Sequence, residues 1–343
     1  MSGPFQVEFP RAYPEPVGSG RIKCCPQDFV VDEALSFPFT GEGEHVYLKI
    51  RKTGQNTLWV VGLLCKHFAV KQRDVGYAGL KDRHGVTTQW FSLLAKSARP
   101  DKIESFSEEG IEILDVQRHS GKLRKGAIKF NRFKIMLREM NADKKEVEKR
   151  IQYILNKGVP NYFDEQRFGR QHQNLIAAQK MFSGGLCARR PKQRIYISAA
   201  RSWLFNLVLA ERVRGNNWSN GLEGDVFMLD GSKTFFHEGK ISQHLVQRLK
   251  DRDIHPTAPL WGRGDIQTSS QAKDFELNVL VDWREWCLQM ENAGMKQQRR
   301  ATRVLPARLE YDYNAEQVYL AISFDLPAGS YATNLLRELV SLK

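Results

Sequence analysis

Apolar side chains alternate with a period of two near both ends of this chain and only sparsely in between, and this distribution constrains the fold more than any other feature. Val46, Leu48 and Ile50 alternate, as do Phe133, Ile135 and Leu137, and again Val318, Leu320, Ile322 and Phe324. Successive side chains of a strand point to opposite faces, so each run predicts a half-buried strand. Helices fall between them. Asn56 or Thr57 can cap a segment bearing Leu58, Val61, Leu64, Cys65 and Phe68 at helical spacing. Asp143 and Glu146 resemble a capping box, Val147, Ile151, Ile154 and Leu155 share one face, and Gly158 stands where such a helix would stop. A final helix carries Leu336, Leu339 and Val340. From Asn161 the composition turns to Arg, Gln, Asn and aromatic residues, and strands resume only after Arg308. With 343 residues there is room for two domains. The pattern predicts an α+β protein in which residues 1–156 and 306–343 form one domain around an insertion, 157–305.

Charge narrows the partner. Lys and Arg number 52 against 39 Asp and Glu, a formal net charge of +13. The excess is gathered: residues 116–138 and 166–210 each hold eight Lys and Arg, residues 292–309 hold five, and none of these windows contains an acid. The rest of the chain is net negative, so the basic stretches form an electrostatic footprint and do not merely serve solubility. A nucleic acid fits better than a membrane surface, because no run approaches eighteen apolar residues and there is no clear basic amphipathic helix or lipidation signal. The opening MSGPFQVEFP lacks a basic n-region and an apolar h-region. Cys24, Cys25, Cys65, Cys187 and Cys287 form an odd set without CxxC spacing, which reads as reduced thiols in a cytoplasmic protein and not as a zinc site.

The most informative segment is AGLKDRHGVTTQ, residues 78–89, where a short apolar run ends at Gly79, a charged turn follows, and a strand resumes at Thr87. Lys81, Asp82 and Arg83 could be solvated residues at the tip of a hairpin. The alternative is that Gly79 lets a ligand approach while flanking cations keep a partly buried Asp82 ionised, as a nucleophilic carboxylate needs. Residue types alone leave both open.

AGLKDRHGVTTQ resembles the catalytic motif of the pseudouridine synthase D (TruD) family. Four further blocks resemble that family in the same order and spacing: RIKCCPQDFVVDE at 21–33, KFNRFKIMLR at 129–138, VPNYFDEQRFG at 159–169 and FDLPAGSYATNLLREL at 324–339. Two positions depart from the family pattern: Phe130 stands where Gly usually precedes the motif asparagine, and Tyr331 where Phe is common. The resemblance implies a pseudouridine synthase catalytic domain with a mixed or antiparallel sheet and an inserted, RNA-gripping α/β domain. It implies isomerisation of uridine 13 of tRNA to pseudouridine without a cofactor or metal, and it places the catalytic aspartate at Asp82.

Such chemistry needs a carboxylate at C1′, acting covalently or by removing a 2′ proton, and a base drawn out of its stack onto an aromatic surface. By resemblance Phe29, Asn131, Tyr331, Lys23 and Phe133 serve the substrate, with Lys23 the charge partner of Asp82. On residue type alone Phe29 reads as core, Asn131 as a turn residue, Tyr331 as a staple to the last helix and Lys23 as a surface lysine. Arg189, Arg190, Lys192, Arg194 and Arg201 are expected to contact RNA phosphates. His84 and His172 read as solvated loop residues or phosphate contacts, and no histidine pair has metal-ligand spacing. Gly18-Ser19-Gly20 fits neither a phosphate loop nor a dinucleotide fingerprint. Asp225, Asp230 and Asp265 are too scattered for a two-metal nuclease centre.

Overall fold

A computed structural model describes Phe5, residues 8–185 and residues 189–343. Cys187 lies outside the described residues, and the other four cysteines are free thiols. The chain divides into two compact units. One comprises Val17–Arg150, Pro306–Gly329 and Val340–Lys343; the other comprises Met1–Pro16, Ile151–Leu305 and Ser330–Leu339. This partition differs from the sequence expectation at three places. The N-terminal segment, the second half of the helix Lys144–Lys157 and the last helix, Ala332–Leu339, belong with the middle of the chain. Packing explains it. Phe5 and Phe9 lie against Trp203, Asn334 Nδ2 donates to the Tyr162 carbonyl, and Glu338 accepts from the Tyr13 amide at 3.0 Å.

The first unit is built on a ten-stranded sheet: β1 (Gly18–Arg21), β2 (Phe29–Leu35), β3 (His45–Thr53), β4 (Gly76–Tyr77), β5 (Val86–Leu94), β6 (Ile111–His119), β7 (Ile128–Ala142), β8 (Ala307–Asn314), β9 (Tyr319–Pro327) and β10 (Ser341–Leu342). Its main path runs β8-β9-β7-β2-β5-β3-β6, with β1 on β7 and β10 and with β4 on β5. All three alternating runs of the sequence are strands of this sheet. Val318 is the exception: at φ +56° it turns just ahead of β9.

Alternation gives the sheet two apolar faces. Val46, Leu48, Ile50, Phe91 and Leu93 pack on the helix Thr57–Phe68, while Tyr47 and Trp90 on the other face meet Phe37, Phe39 and Leu123. That helix is capped as its sequence predicts, Asn56 Oδ1 accepting from the Trp59 amide at 2.9 Å. Its Leu58 is exposed, and Val60 instead faces the sheet.

The pairing around β2 positions the loop before β5. β2 and β5 are parallel, with Val30 opposite Val86, whereas β7 lies antiparallel on the far side of β2, with Glu33 opposite Asn131. Parallel pairing brings the loop that enters β5, residues 78–85, alongside the turn that enters β2.

The second unit has an aromatic helical core, Phe168, Leu175, Trp203, Leu204, Val208 and Trp286 among its members, centred on the long helix Arg190–Arg214. Its four-stranded sheet orders Phe235–His237, Val226–Leu229, Ile254–Leu260 and Gln298–Ala301, every pair antiparallel. The insertion therefore interleaves helices with an antiparallel sheet and has no parallel βαβ unit among the described residues.

Candidate active site

Asp82 stands in the loop between β4 and β5, its side chain 31% exposed. The loop is tied down at several points. The Lys81 amide donates to Thr57 Oγ1 at 2.9 Å, Thr57 donates to Gln89 Oε1 at 2.8 Å, and Gln89 Nε2 donates to the Gly79 carbonyl at 3.2 Å. On the far side the Gly54 amide donates to the Gly85 carbonyl at 3.2 Å. The carboxylate is thus open to a ligand on a backbone fixed to a helix start and a strand end.

Lys23 reaches Asp82 from the turn ahead of β2. Its Nζ lies 3.4 Å from Asp82 Oδ2 and 4.2 Å from the centre of the Phe29 ring. Lys23 has φ +58°, the left-handed region, which is costly for a side chain of this type unless its surroundings hold it. Those surroundings are rigid. Both Asp28 carboxylate oxygens share the single N–H of Arg138 Nε at 2.9 Å each, and Asp28 accepts from the Cys25 amide at 3.1 Å, so the turn Pro26–Asp28 is pinned to β7. Hydrogen bonds from Arg138 hold the Asp28 carboxyl below the usual carboxylate range.

Phe29 is 2% exposed, its ring centre 6.2 Å from that of Phe133 in an edge-to-face arrangement, and the Phe133 ring centre in turn lies 5.6 Å from that of Phe324. Phe29 and Phe133 thus pack together as buried rings, and one face of Phe29 is covered by the Lys23 ammonium. Asn131, opposite Glu33 across the β2–β7 pair, is not a turn residue: its Oδ1 accepts from Lys81 Nζ.

Beneath the loop lie two buried lysines: Lys81, which residue type alone allows to be solvated at a hairpin tip, and Lys52, which that reading left out. Lys81, 6% exposed, sits 3.3 Å from Glu33 Oε2, and the Glu33 side chain is fully buried, its Oε1 accepting from the Trp90 amide at 3.2 Å. Burial pushes the Glu33 carboxyl up and the Lys81 ammonium down, each partly offset by its partner. Lys52 is wholly buried; its Nζ donates to the carbonyls of Gln55 at 2.6 Å and Asp82 at 2.9 Å. A signal for both acid and base exists in the sequence. Glu33 continues the inward alternation Phe29, Val31, and Lys52 continues Val46, Leu48, Ile50. A charge at the next position of an apolar face must be paired or hydrogen-bonded.

The remaining expected residues lie in the second unit. Tyr331 is half-buried just before the last helix, its ring 6.5 Å from Phe163, whose face is covered by the Arg300 guanidinium at 4.2 Å. Arg189, Lys192 and Arg194 are exposed at the start of the long helix, where Arg190 is the first residue. Arg201 is not available to phosphate. At 9% exposure its Nε donates to the Trp261 carbonyl at 2.8 Å and its Nη2 to the Leu260 carbonyl at 2.6 Å. A helix position facing a neighbouring strand overrides the charge pattern there. His172 has φ +58° beside Phe168, and His84 is exposed in the Asp82 loop. Among the described residues no helix is long and apolar enough to cross a membrane, and no group of three or more His, Cys, Asp or Glu stands close enough to hold a metal ion.

The fold has a solved counterpart. A crystal structure from Methanosarcina mazei, assigned as tRNA pseudouridine synthase D, superposes with a TM-score of 0.71 at 20% identity, over 95% of this chain and 94% of that one. The architecture is thus the α+β pseudouridine synthase fold. The family model for tRNA pseudouridine synthase D (TruD) matches residues 13–188 and 176–339. Curated proteins named tRNA pseudouridine synthase D are similar over nearly their whole length. That of Hydrogenovibrio crunogenus is 41% identical over 100% of this chain and 99% of its own, and that of Methylococcus capsulatus is 45% identical over 97% and 94%. That of Nitrosococcus oceani is 44% identical over 95% and 91%. The chain belongs to the tRNA pseudouridine synthase D family, and it is an isomerase.

Proposed function

We propose that the protein converts uridine 13 of tRNA to pseudouridine, with Asp82 as the catalytic carboxylate. The observation that carries the reading is a part-exposed carboxylate on a pinned loop, 3.4 Å from an ammonium that is itself held over an aromatic ring. Asp82 assists cleavage of the bond between C1′ and N1, by attack at C1′ or by taking a 2′ proton to leave a glycal. The freed uracil turns, C5 bonds to C1′, and the C5 proton is lost while N1, no longer bonded to carbon C1′, takes one up; on the glycal route the 2′ proton taken by Asp82 is returned as the new bond forms. Product and substrate have the same atoms, so no oxidant or group donor enters the balance. Lys23 stabilises the negative charge on Asp82 before reaction and on the uracil as it leaves. Phe29 supports the base with Phe133 packed beneath it, Asn131 is set by Lys81 to read the base edge, and Tyr331 is assigned to substrate binding by its match to the family motif.

The inserted residues 157–305, carrying Arg189, Arg190, Lys192 and Arg194 at a helix start, grip the tRNA backbone in this reading. The protein works in the cytoplasm, where its tRNA substrate and reduced thiols are found. Two other readings remain for the test: an RNA-binding protein that has kept the scaffold without catalysis, and a nuclease. Incubating the protein with unmodified tRNA, without added metal or cofactor, and mapping pseudouridine separates them. Pseudouridine at position 13 supports the proposal; intact, unmodified tRNA supports the first alternative, and cleaved tRNA the second.

A further inference from the structure

Lys52 has no part in the chemistry proposed for Asp82, yet it is the only wholly buried lysine among the described residues. It ends the inward face of β3, opposite Thr87 on β5 and Ile111 on β6, neither of them charged. A lysine there would ordinarily be replaced by an apolar residue, because an ammonium out of water needs its protons taken up by acceptors. Two of them are taken by main chain: the Gln55 carbonyl at 2.6 Å and the Asp82 carbonyl at 2.9 Å. The acceptors come from two segments that meet again where the Gly54 amide donates to Gly85 and Arg83 Nε donates to the Gly54 carbonyl at 3.4 Å. Lys52 is therefore the buried end of a clamp between the β3 turn and the loop of Asp82.

We infer that Lys52 is a positioning residue for the reaction: its ammonium fixes the Asp82 main chain and places a positive charge beneath the carboxylate that Lys23 faces from above. The inference rests on Asp82 as the reacting group. A cation whose bonds go to a carbonyl cannot drift toward the carboxylate and neutralise it by direct pairing, so Asp82 keeps a free oxygen for substrate. Of the charged groups facing Lys52, Asp82 favours its protonated form and Lys81 opposes it, while Arg83 is turned to the Gly54 carbonyl. Burial, the largest influence, pushes the Lys52 ammonium down to about 8. Its charge is therefore present at neutral pH and lost just above it.

The test uses the full chain with Lys52→Met and Lys52→Arg. Lys52→Met should react roughly 100-fold slower in single turnover at saturating tRNA, the scale expected for a misplaced reacting group, with tRNA affinity within about threefold. Lys52→Arg keeps charge and donors and should regain at least about tenfold of that loss. The wild-type rate should fall as pH rises through about 8, whereas Lys52→Arg, whose guanidinium stays charged, should hold its rate to higher pH. Amide exchange over residues 78–86 reads the clamp without substrate and should quicken about tenfold in Lys52→Met. A Lys52→Met protein that melts like wild type and reacts within about threefold of it overturns the inference. So does an identical alkaline fall in wild type and Lys52→Arg, a comparison that stands even if Lys52→Met does not fold. A wild type that makes no pseudouridine while Lys52→Met loosens the loop would overturn the proposed activity and leave the clamp intact.

Discussion

Replacing Glu33 by Gln removes one charge from the buried pair under the Asp82 loop and nearly preserves its shape. Glu33 is fully buried and Lys81 is 6% exposed, with 3.3 Å between the charged atoms. Solvent screening therefore does little for either group, and removing Glu33 leaves the Lys81 ammonium without its nearest counter-charge, only the weaker influence of Asp82 and Asp32 remaining. Losses of about 3–5 kcal/mol result when a buried pair is broken from one side. Lys81 also donates to Asn131, so part of the loss is recovered by that bond, and the lower end of the range is expected.

The pH dependence has a definite sign. Burial already lowers the Lys81 pKa, and without Glu33 it falls further. A group whose folded pKa is depressed costs most when it must be charged, so above the raised pH at which wild-type Glu33 itself protonates the Glu33→Gln penalty grows as pH falls and shrinks as pH rises and Lys81 sheds its proton; below it, where Glu33 is neutral like Gln, the penalty disappears. The measurement is a double-mutant cycle of Glu33→Gln, Lys81→Met and both together. Unfolding is followed by amide exchange over residues 29–35, which reports β2 directly. The double variant should be more stable than Glu33→Gln alone. A Glu33→Gln protein within about 1 kcal/mol of wild type, or single losses that simply add, would refute the pairing.

Other expectations concern both units. Burial pushes the Glu338 carboxyl up to about 7; the stability it contributes is full below its unfolded value and is lost as pH rises toward 7. Glu338→Gln should therefore melt above wild type at about pH 8, by up to about 3 kcal/mol of stability, and lose that advantage near pH 4.5, which paired thermal melts would show. Lys192→Ala with Arg194→Ala should flatten the slope of log affinity for tRNA against log salt by about 1.5, whereas Arg201→Ala should lower the melting temperature instead; an unchanged slope removes the exposed pair from the interface. Tyr331→Phe should react like wild type and Tyr331→Ala more slowly at saturating tRNA, since stacking on a base is worth about 1–3 kcal/mol; equal single-turnover rates would remove Tyr331 from the substrate-binding residues.

How far the sequence could be read depended on whether a residue's partners were near in sequence. Strands β3, β7 and β9 and the helix after Asn56 were legible because alternation and capping are local. The Asp82 loop was legible from its motif and its placement between two strands. Glu33 and Lys52 carry charge on an apolar face, but their distant partners are not readable locally: Lys81 and Trp90 reach Glu33 through the parallel β2–β5 pairing, and the Asp82 carbonyl reaches Lys52 through the antiparallel β3–β5 pairing. Arg201 was misread for the same reason: its acceptors, the carbonyls of Leu260 and Trp261, lie some sixty residues away. The domain boundary was displaced because the docking of Phe5 and Phe9 on Trp203 depends on long-range aromatic packing.

The central claim is that Asp82 performs the chemistry and that the rest of the chain binds RNA without it. Asp82→Asn keeps the side chain's size and its neighbours while removing the carboxylate. Pseudouridine formation in unmodified tRNA by this variant, measured beside its tRNA affinity, tests the claim most directly. The account predicts no product at position 13, with affinity close to wild type; product at anything near the wild-type rate would contradict it.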